Sequence, residues 1–276
     1  MSALNWARLN NGVDMLAAVS EARFSEEWTR SQDVIQSETR QILRDHGASE
    51  NLLNYVLEMK GYPRVPYFSS AWIGNEKERA HHGICYCLHA VGVKLLDDVI
   101  DEDQDVPNAD LALGHVLIQH ALARLPMDDG AGQFALQAWQ KIWSYVVQEP
   151  RITIDGTEDW FRGAETKAGG MMEFYARLGA RTARSLQAPE EQAARAMNLV
   201  GVIYMVGDDI RDWHALGERD SNLFAMIEDD QAERKAVRER LGRIREELQQ
   251  ILIHYPPAFD ISPEVNRIAR KWQDVL

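Results

Sequence analysis

Two short stretches hold the residues best suited to chemistry. KLLDDVIDED, Lys94 to Asp103, places five acids within seven residues directly after an apolar run. GDDIRDW, Gly207 to Trp213, repeats the pattern after a second apolar run, LVGVIYMV, Leu199 to Val206. Both read D-D-x-x-D: Asp97, Asp98 and Asp101 in the first, Asp208, Asp209 and Asp212 in the second. On an α-helix, residues four apart lie within about 40° of one another, so Asp97 with Asp101, and Asp208 with Asp212, would each present two carboxylates on one face. Left alone these carboxylates repel, and acids closing a helix also oppose its dipole. A hard divalent cation relieves both effects, because Mg²⁺ takes oxygen ligands and usually sits between one or two protein carboxylates and substrate phosphates. The spacing nominates Asp97, Asp101, Asp208 and Asp212 as magnesium ligands, and all six aspartates as the catalytic set that holds a diphosphate through the metal. One such cluster alone would read as a solvated helix end. Its repetition at the same spacing is what points to chemistry.

Rigid helices are needed behind these aspartates, and hydrophobic periodicity supplies them. Apolar residues at mixed three- and four-residue spacing predict helices over Phe24 to Asp45, Glu76 to Asp101, Ala109 to Leu125, Phe134 to Val147, Glu158 to Leu186, Pro189 to Trp213 and Asp230 to Tyr255, with a short last helix after Ser262. Pro189 suits a first turn, where its missing N–H costs little. No Val/Ile/Thr alternation marks a strand, and there is no 20- to 50-residue repeat, low-complexity tract or linker. The expectation is one all-α domain over residues 1–276, with functional breaks at GYPRVP (Gly61 to Pro66), Asp101 to Asp110, and HALGERDSN (His214 to Asn222).

Composition narrows the partners. A net charge of −13 argues against nucleic acid, whose phosphates need a basic footprint, so any bound anion must be held locally by a metal or a few placed Arg and Lys side chains. MSALNWARLNNGVDM lacks the apolar core of a signal peptide, and no apolar run approaches the roughly 18 residues of a membrane span, so a cytoplasmic protein is expected. Cys85 and Cys87 stand two apart in an apolar stretch, which suits core packing in a reducing compartment better than zinc or a disulfide. His81, His82, His115 and His120 lack good metal spacing and read as surface residues. No Ser-His-Asp grouping and no Gly-rich phosphate loop competes with the aspartates.

The paired motifs resemble those of the trans-prenyl diphosphate synthases and their relatives, all-α bundles in which two Asp-rich motifs face each other over a trinuclear magnesium site. The resemblance runs from GYPRVP to GERDSNL. GYPRVP lies where that family carries a Gly-Lys-Arg motif, leaving Arg64 as a diphosphate ligand, and ETKAGGMMEFYARLGA (Glu165 to Ala180) is similar to its helix with a Lys-Thr-Gly step, Lys167 falling at the lysine. The resemblance implies an isoprenoid-synthase bundle with a central active-site cavity, up to three Mg²⁺ ions with bound diphosphate, an allylic prenyl diphosphate as substrate, and a homodimer. Departures are informative too. Chain-elongating members follow the first motif with Arg-Arg-Gly, whereas DEDQDVPNADLALG here has no arginine before Arg124. Their Phe-Gln before the second motif is replaced by Tyr204 and Met205, and GYPRVP lacks their lysine. These changes count against condensation with isopentenyl diphosphate and leave ionisation of an allylic diphosphate intact.

Within the superfamily, YPRVPYF, KLLDDVIDED and GDDIRDWHALGERDSNL resemble the phosphoglycerate prenyltransferase branch of moenomycin-type phosphoglycolipid biosynthesis. That resemblance implies transfer of a prenyl group, farnesyl in the family example, to the 2-hydroxyl of 3-phosphoglycerate. The acceptor is then a small phosphorylated hydroxy acid, and the ether product a lipid that brings the protein to a membrane surface without spanning it. On this reading Arg64, Lys94, Lys167 and Arg219 hold the anionic groups, and Asn222 belongs to the same substrate-binding set. His89 and Gly92, eight and five residues before Asp97, line the wall where relatives set chain length. Tyr204, with Tyr86 and Phe174, offers π-faces to an allyl cation, although aromatics on apolar helices are more often plain core. The alternatives are a prenyl elongase, a terpene cyclase, for which the Asn-x-x-x-Ser-x-x-x-Glu pattern is missing after GDDIRDW, and a non-catalytic partner subunit of a prenyl synthase.

Overall fold

Side-chain caps set several of the helix boundaries in the computed structural model, which describes residues 3–59, 62–101, 106–149, 152, 154–215 and 221–276; the side chains of residues 3–23, 101, 215, 273 and 274 lie outside the description. The opening helix, α1 (Ala3–Asp45), is followed by α2 (Glu50–Glu58), where the Ser49 hydroxyl accepts from the Leu52 N–H, and by a short α3 (Arg64–Phe68). Next come α4 (Glu76–Asp101), α5 (Asn108–Leu111), α6 (Gly114–Ala123) and α7 (Asp129–Gln148), the last capped by Asp128. The second half runs α8 (Thr157–Thr166), α9 (Ala168–Thr182), α10 (Glu190–Ala215), α11 (Leu223–Met226), α12 (Gln231–His254, capped by Asp230) and α13 (Ser262–Val275). A carboxylate or hydroxyl at each capped end satisfies N–H groups that the helix itself leaves open.

The expected all-α class is the observed one: among the described residues the only extended pairing is an isolated bridge between Ile73 and Leu186. The span expected for the helix of the first Asp motif is the observed one, and α7, α10 and α12 fall within a few residues of theirs. Other expectations need correction. α1 begins 21 residues before Phe24, at Ala3. The helix expected over Ala109 to Leu125 is two, α5 and α6. The one expected over Glu158 to Leu186 breaks at Lys167 (φ −76°, ψ −81°), where the Thr166 hydroxyl donates back to the Arg162 carbonyl at 2.9 Å. GYPRVP, read as a break, supplies the start of α3 at Arg64.

α10 packs most extensively on α9, and α4 on α6. Both pairs owe their closeness to glycine, which lets backbones touch. A Cβ at Gly92 would lie 2.4 Å from the Gly114 carbonyl oxygen, and one at Gly201 the same distance from that of Ala168. This overturns the placing of Gly92 on a substrate tunnel, because five residues at 100° each set it about 140° around α4 from Asp97. Gly92 belongs to the crossing with α6.

A buried polar network fastens α1 to α4. Arg79 and Glu27, 1 % and 3 % exposed, form a two-pronged pair (Nε to Oε1 3.0 Å, Nη2 to Oε2 2.7 Å), and the Tyr67 hydroxyl donates to the same carboxylate at 3.0 Å. Arg79 Nη1 also donates to the Ile73 carbonyl. Close by, Ala71 to Ile73 tie distant parts of the chain: the Trp72 indole donates to the Tyr255 carbonyl at 2.9 Å, the Ala258 N–H to the Ala71 carbonyl, and the Gln187 N–H to the Trp72 carbonyl. Cys85 and Cys87 are buried and unbridged, as expected for core residues. His82 is not a surface residue: it is 1 % exposed, with Nε2 2.9 Å from the Thr182 hydroxyl. Its neighbour His81 is half-buried, while His115 and His120 are exposed. No helix among the described residues is long and apolar enough to cross a membrane.

Candidate active site

The last turns of α4 and α10 carry the two Asp motifs, so acids collect where both helix dipoles present their negative ends. Within each motif the aspartates divide. Asp98 is fully buried, and its carboxylate is held by the Tyr55 hydroxyl of α2 at 2.6 Å and the Lys94 ammonium at 2.5 Å. Asp209 turns inward as well: its Oδ2 accepts from the Leu223 N–H at 2.6 Å, which docks α11 onto α10. Burial pushes its carboxyl up to about 7, against the lowering effect of that N–H and of the nearby Trp160 indole. Asp97, Asp208 and Asp212 keep some access to solvent and lie beside protein cations. The side chain of Asp101 and all of Arg219 lie outside the described residues.

Those cations come from different elements. Lys167, set at the break between α8 and α9, reaches Asp97 at 3.6 Å and Glu149, at the end of α7, at 2.5 Å. Arg211, inside the second motif, donates from Nη1 to Asp208 Oδ1 at 3.0 Å and from Nε to Asp212 Oδ1 at 2.8 Å. Burial raises the Asp208 carboxyl above its ordinary range, against the lowering effect of Arg211 and, least of all, of Lys94. Arg64 takes a different neighbourhood: it lies 3.8 Å from Glu264 of α13 and over the Phe24 ring at 5.2 Å.

Tyr62 lies within electrostatic reach of both motifs, and sequence reasoning missed it. The residue is 43 % exposed, yet burial of its hydroxyl raises the phenol well above its ordinary range, and the charges of Asp97, Asp208 and Asp98 raise it further. One hydroxyl therefore senses carboxylates from both α4 and α10, although neither helix packs extensively on the other. Its position in GYPRVP was legible; its reach was not. Glu149 was missed for the same reason, since nothing in the sequence links it to a lysine 18 residues later.

Two turns up α4 from Asp97, His89 is enclosed by aromatic rings: Trp139 edge-on at 4.9 Å, Phe174 at 5.6 Å and Tyr175 at 5.5 Å, with the Tyr175 hydroxyl 2.9 Å from Nδ1. Burial pushes its imidazole down to about 3, so it is neutral at physiological pH. Tyr86 stacks on Tyr175 at 5.1 Å. Tyr204 faces α13 instead, donating to Glu264 at 2.9 Å. Asn222 caps α11 through its oxygen and donates from Nδ2 to the Asp209 carbonyl at 2.8 Å, which occupies its amide in positioning the second motif.

Among the described residues, no three His, Cys, Asp or Glu side chains form a ready-made metal cage. Two separate sets of hard oxygen donors are present, one around Asp97 and one at Asp208 and Asp212, each paired with a cation of the protein. That donor chemistry fits Mg²⁺ completing its octahedron with phosphate oxygens and water, and does not fit an ion bound by protein alone.

No family model matches the chain, and no curated protein matches it. Solved structures do. A geranylgeranyl pyrophosphate synthetase from the archaeon Geoglobus acetivorans superposes with a TM-score of 0.64 at 16% identity, covering 92% of this chain and 99% of its own. A heptaprenyl diphosphate synthase from Staphylococcus aureus gives 0.66 at 12% identity over 89% and 98%. A geranylgeranyl pyrophosphate synthase from Corynebacterium glutamicum, complexed with calcium and isoprenyl diphosphate, gives 0.64 at 15% identity over 92% and 96%. Across nearly its whole length, then, the chain has the all-α isoprenoid-synthase fold of the trans-prenyl diphosphate synthases.

Proposed function

We propose that the protein is a magnesium-dependent prenyltransferase that takes the prenyl group of an allylic diphosphate. The observation that carries this reading is the placing of both Asp motifs at the C-terminal ends of α4 and α10, with Asp97, Asp208 and Asp212 each beside a protein cation, in a bundle whose structural neighbours include an enzyme solved with isoprenyl diphosphate. Asp97 and Asp101 on one side, and Asp208 and Asp212 on the other, would hold Mg²⁺; once bound, the metal neutralises the leaving diphosphate so that an allylic C–O bond can ionise. The chain's own residues prepare the site. Buried Asp98, gripped by Tyr55 and Lys94, fixes the last turn of α4, and Asp209 with Asn222 fixes that of α10. Lys167 brings positive charge to the place where the diphosphate would arrive. The aromatic rings packed around His89, itself sealed from water, would serve as the dry floor on which a cation is stabilised.

For the acceptor we propose the 2-hydroxyl of 3-phosphoglycerate. Arg64, 39 % exposed and only loosely paired with Glu264, supports it as the side chain to meet a carboxylate or phosphate. Lys94 and Lys167 are the other described candidates, and Arg219, in GERDSNL, is proposed for the same role. The proton of the hydroxyl would leave with the diphosphate. A second reading, chain elongation with an alkene acceptor, is favoured by the elongating activities named for the neighbours. Purified protein, magnesium and a panel of allylic diphosphates, analysed by mass spectrometry with 3-phosphoglycerate or isopentenyl diphosphate added, separates them. A prenyl ether supports the first reading and a longer diphosphate the second; absence of any prenyl product with every donor refutes both. A homodimer in the cytoplasm that meets membranes only through its lipid product completes the proposal.

A further inference from the structure

Arg211 stands inside the second Asp motif, between the two aspartates that face solvent. We propose that it is a displaceable counter-cation, which holds Asp208 and Asp212 in the substrate-free protein and must leave before a divalent cation can take them, so that metal loading depends on diphosphate. The inference deepens the prenyl-transfer reading, on which it rests for the identity of the diphosphate. One guanidinium occupies both carboxylates: Nη1 donates to Asp208 Oδ1 at 3.0 Å, while Nε and Nη2 address Asp212 Oδ1 and Oδ2 at 2.8 and 3.4 Å. Those oxygens belong to residues four apart on one helical face, the pair that a single Mg²⁺ would bridge. A metal at its usual distance of about 2.1 Å from the same oxygens would stand against the guanidinium, positive charge on positive charge. Metal and Arg211 therefore exclude one another.

The clasp is built to open. Arg211 is 61 % exposed, and the hydrogen bonds described for it reach only these two carboxylates, so it can swing into water without uncovering the core. The first motif offers the contrast: Lys94 is bound to an aspartate that is wholly buried and not open to solvent. Exposed ion pairs are each worth up to about fivefold in an equilibrium, enough to hold the empty site and too little to resist a loaded one. An arriving diphosphate compensates the displaced guanidinium, because Arg forms two-pronged bonds to phosphate oxygens. Metal and diphosphate then enter together.

The test titrates Mn²⁺ into the full chain without substrate and follows the free ion by electron paramagnetic resonance. Arg211→Gln is expected to bind Mn²⁺ about tenfold more tightly than the wild type, the combined effect of losing two exposed pairs. Inorganic pyrophosphate should tighten the wild type more than the variant and narrow the gap. Adding Asp208→Asn to Arg211→Gln should cancel the gain. Equal Mn²⁺ affinity in wild type and Arg211→Gln, with matching circular dichroism, overturns the proposal, as does a gain that survives in the double variant. The product assay is judged separately: a Mn²⁺ gain without prenyl products would sink the prenyl-transfer reading and leave the clasp standing.

Discussion

Replacing Gly92 by alanine tests how α4 is held. The new Cβ would meet the Gly114 carbonyl oxygen at 2.4 Å, Ile118 Cγ1 at 2.9 Å and Leu117 Cβ at 3.1 Å. The first of these is helix backbone, and the approach is mutual, since a Cβ at Gly114 would lie 2.3 Å from the Gly92 oxygen. No side-chain rotation relieves it, so α4 and α6 must part. A gap of 0.5–1 Å forfeits roughly a quarter to a half of the dispersion attraction across a contact, and overpacking costs typically about 1–3 kcal/mol. Against this stands about 1 kcal/mol gained by replacing glycine within a helix. The net loss is up to about 2 kcal/mol, or up to roughly 8 °C in Tm for a chain of this size. Gly242→Ala is the internal control: nothing lies within 4 Å of its Cβ, so α12 should gain up to about 1 kcal/mol. Urea unfolding followed by circular dichroism, run on both variants, reads the difference in sign. The reasoning is refuted if Gly92→Ala is as stable as Gly242→Ala, or if it changes the preferred prenyl length with no loss of stability.

Three further outcomes are expected. Removing either partner of the buried Arg79–Glu27 pair leaves an uncompensated charge in the core, so Glu27→Ala should cost about 3–5 kcal/mol in chemical denaturation, and a loss below 1 kcal/mol would contradict the assignment. His89, held neutral down to about pH 3 while the unfolded imidazole titrates near 6.5, contributes stability that is complete above pH 6.5 and lost as pH falls toward 3. From pH 6.5 to 4.5 this amounts to about 2 kcal/mol, so His89→Phe should lose less stability over that interval than the wild type, and parallel curves would show the imidazole to be unperturbed. Asp97→Ala and Asp208→Ala should each nearly abolish prenyl transfer while keeping wild-type helicity, and full activity in EDTA would exclude the metal.

The parts of the site that lie along one helix were legible in the sequence, and those that cross between helices were not. The spans of α4 and α10 followed from apolar periodicity, and the four-residue spacing of Asp97 with Asp101 and of Asp208 with Asp212 from helix geometry. Composition alone could not tell that Asp98 and Asp209 turn inward, because their partners Tyr55 and Leu223 come from other elements. Arg211 was in plain view within GDDIRDW, but its three bonds depend on rotamers. The break at Lys167 was hidden because Glu158 to Leu186 keeps helical periodicity through it, the glycines at 169 and 170 being the local hint. Gly92 was misplaced by counting residues without turning the helix.

The bonds at Ala71 to Ile73 bear on how the chain is made. The Trp72 indole meets a carbonyl 183 residues further on, and its own carbonyl waits for Gln187. At a synthesis rate of about 5–20 residues per second, the interval between the emergence of Trp72 and that of Tyr255 is on the order of ten to forty seconds. Throughout it the Trp72 indole lacks its carbonyl partner, although neighbouring Phe68 already has the Phe24 ring of α1 to pack on at 5.0 Å. Native closure of this end of the bundle therefore waits for the segment around Tyr255 and is a late step of high contact order, during which the Trp72 indole is without its hydrogen bond.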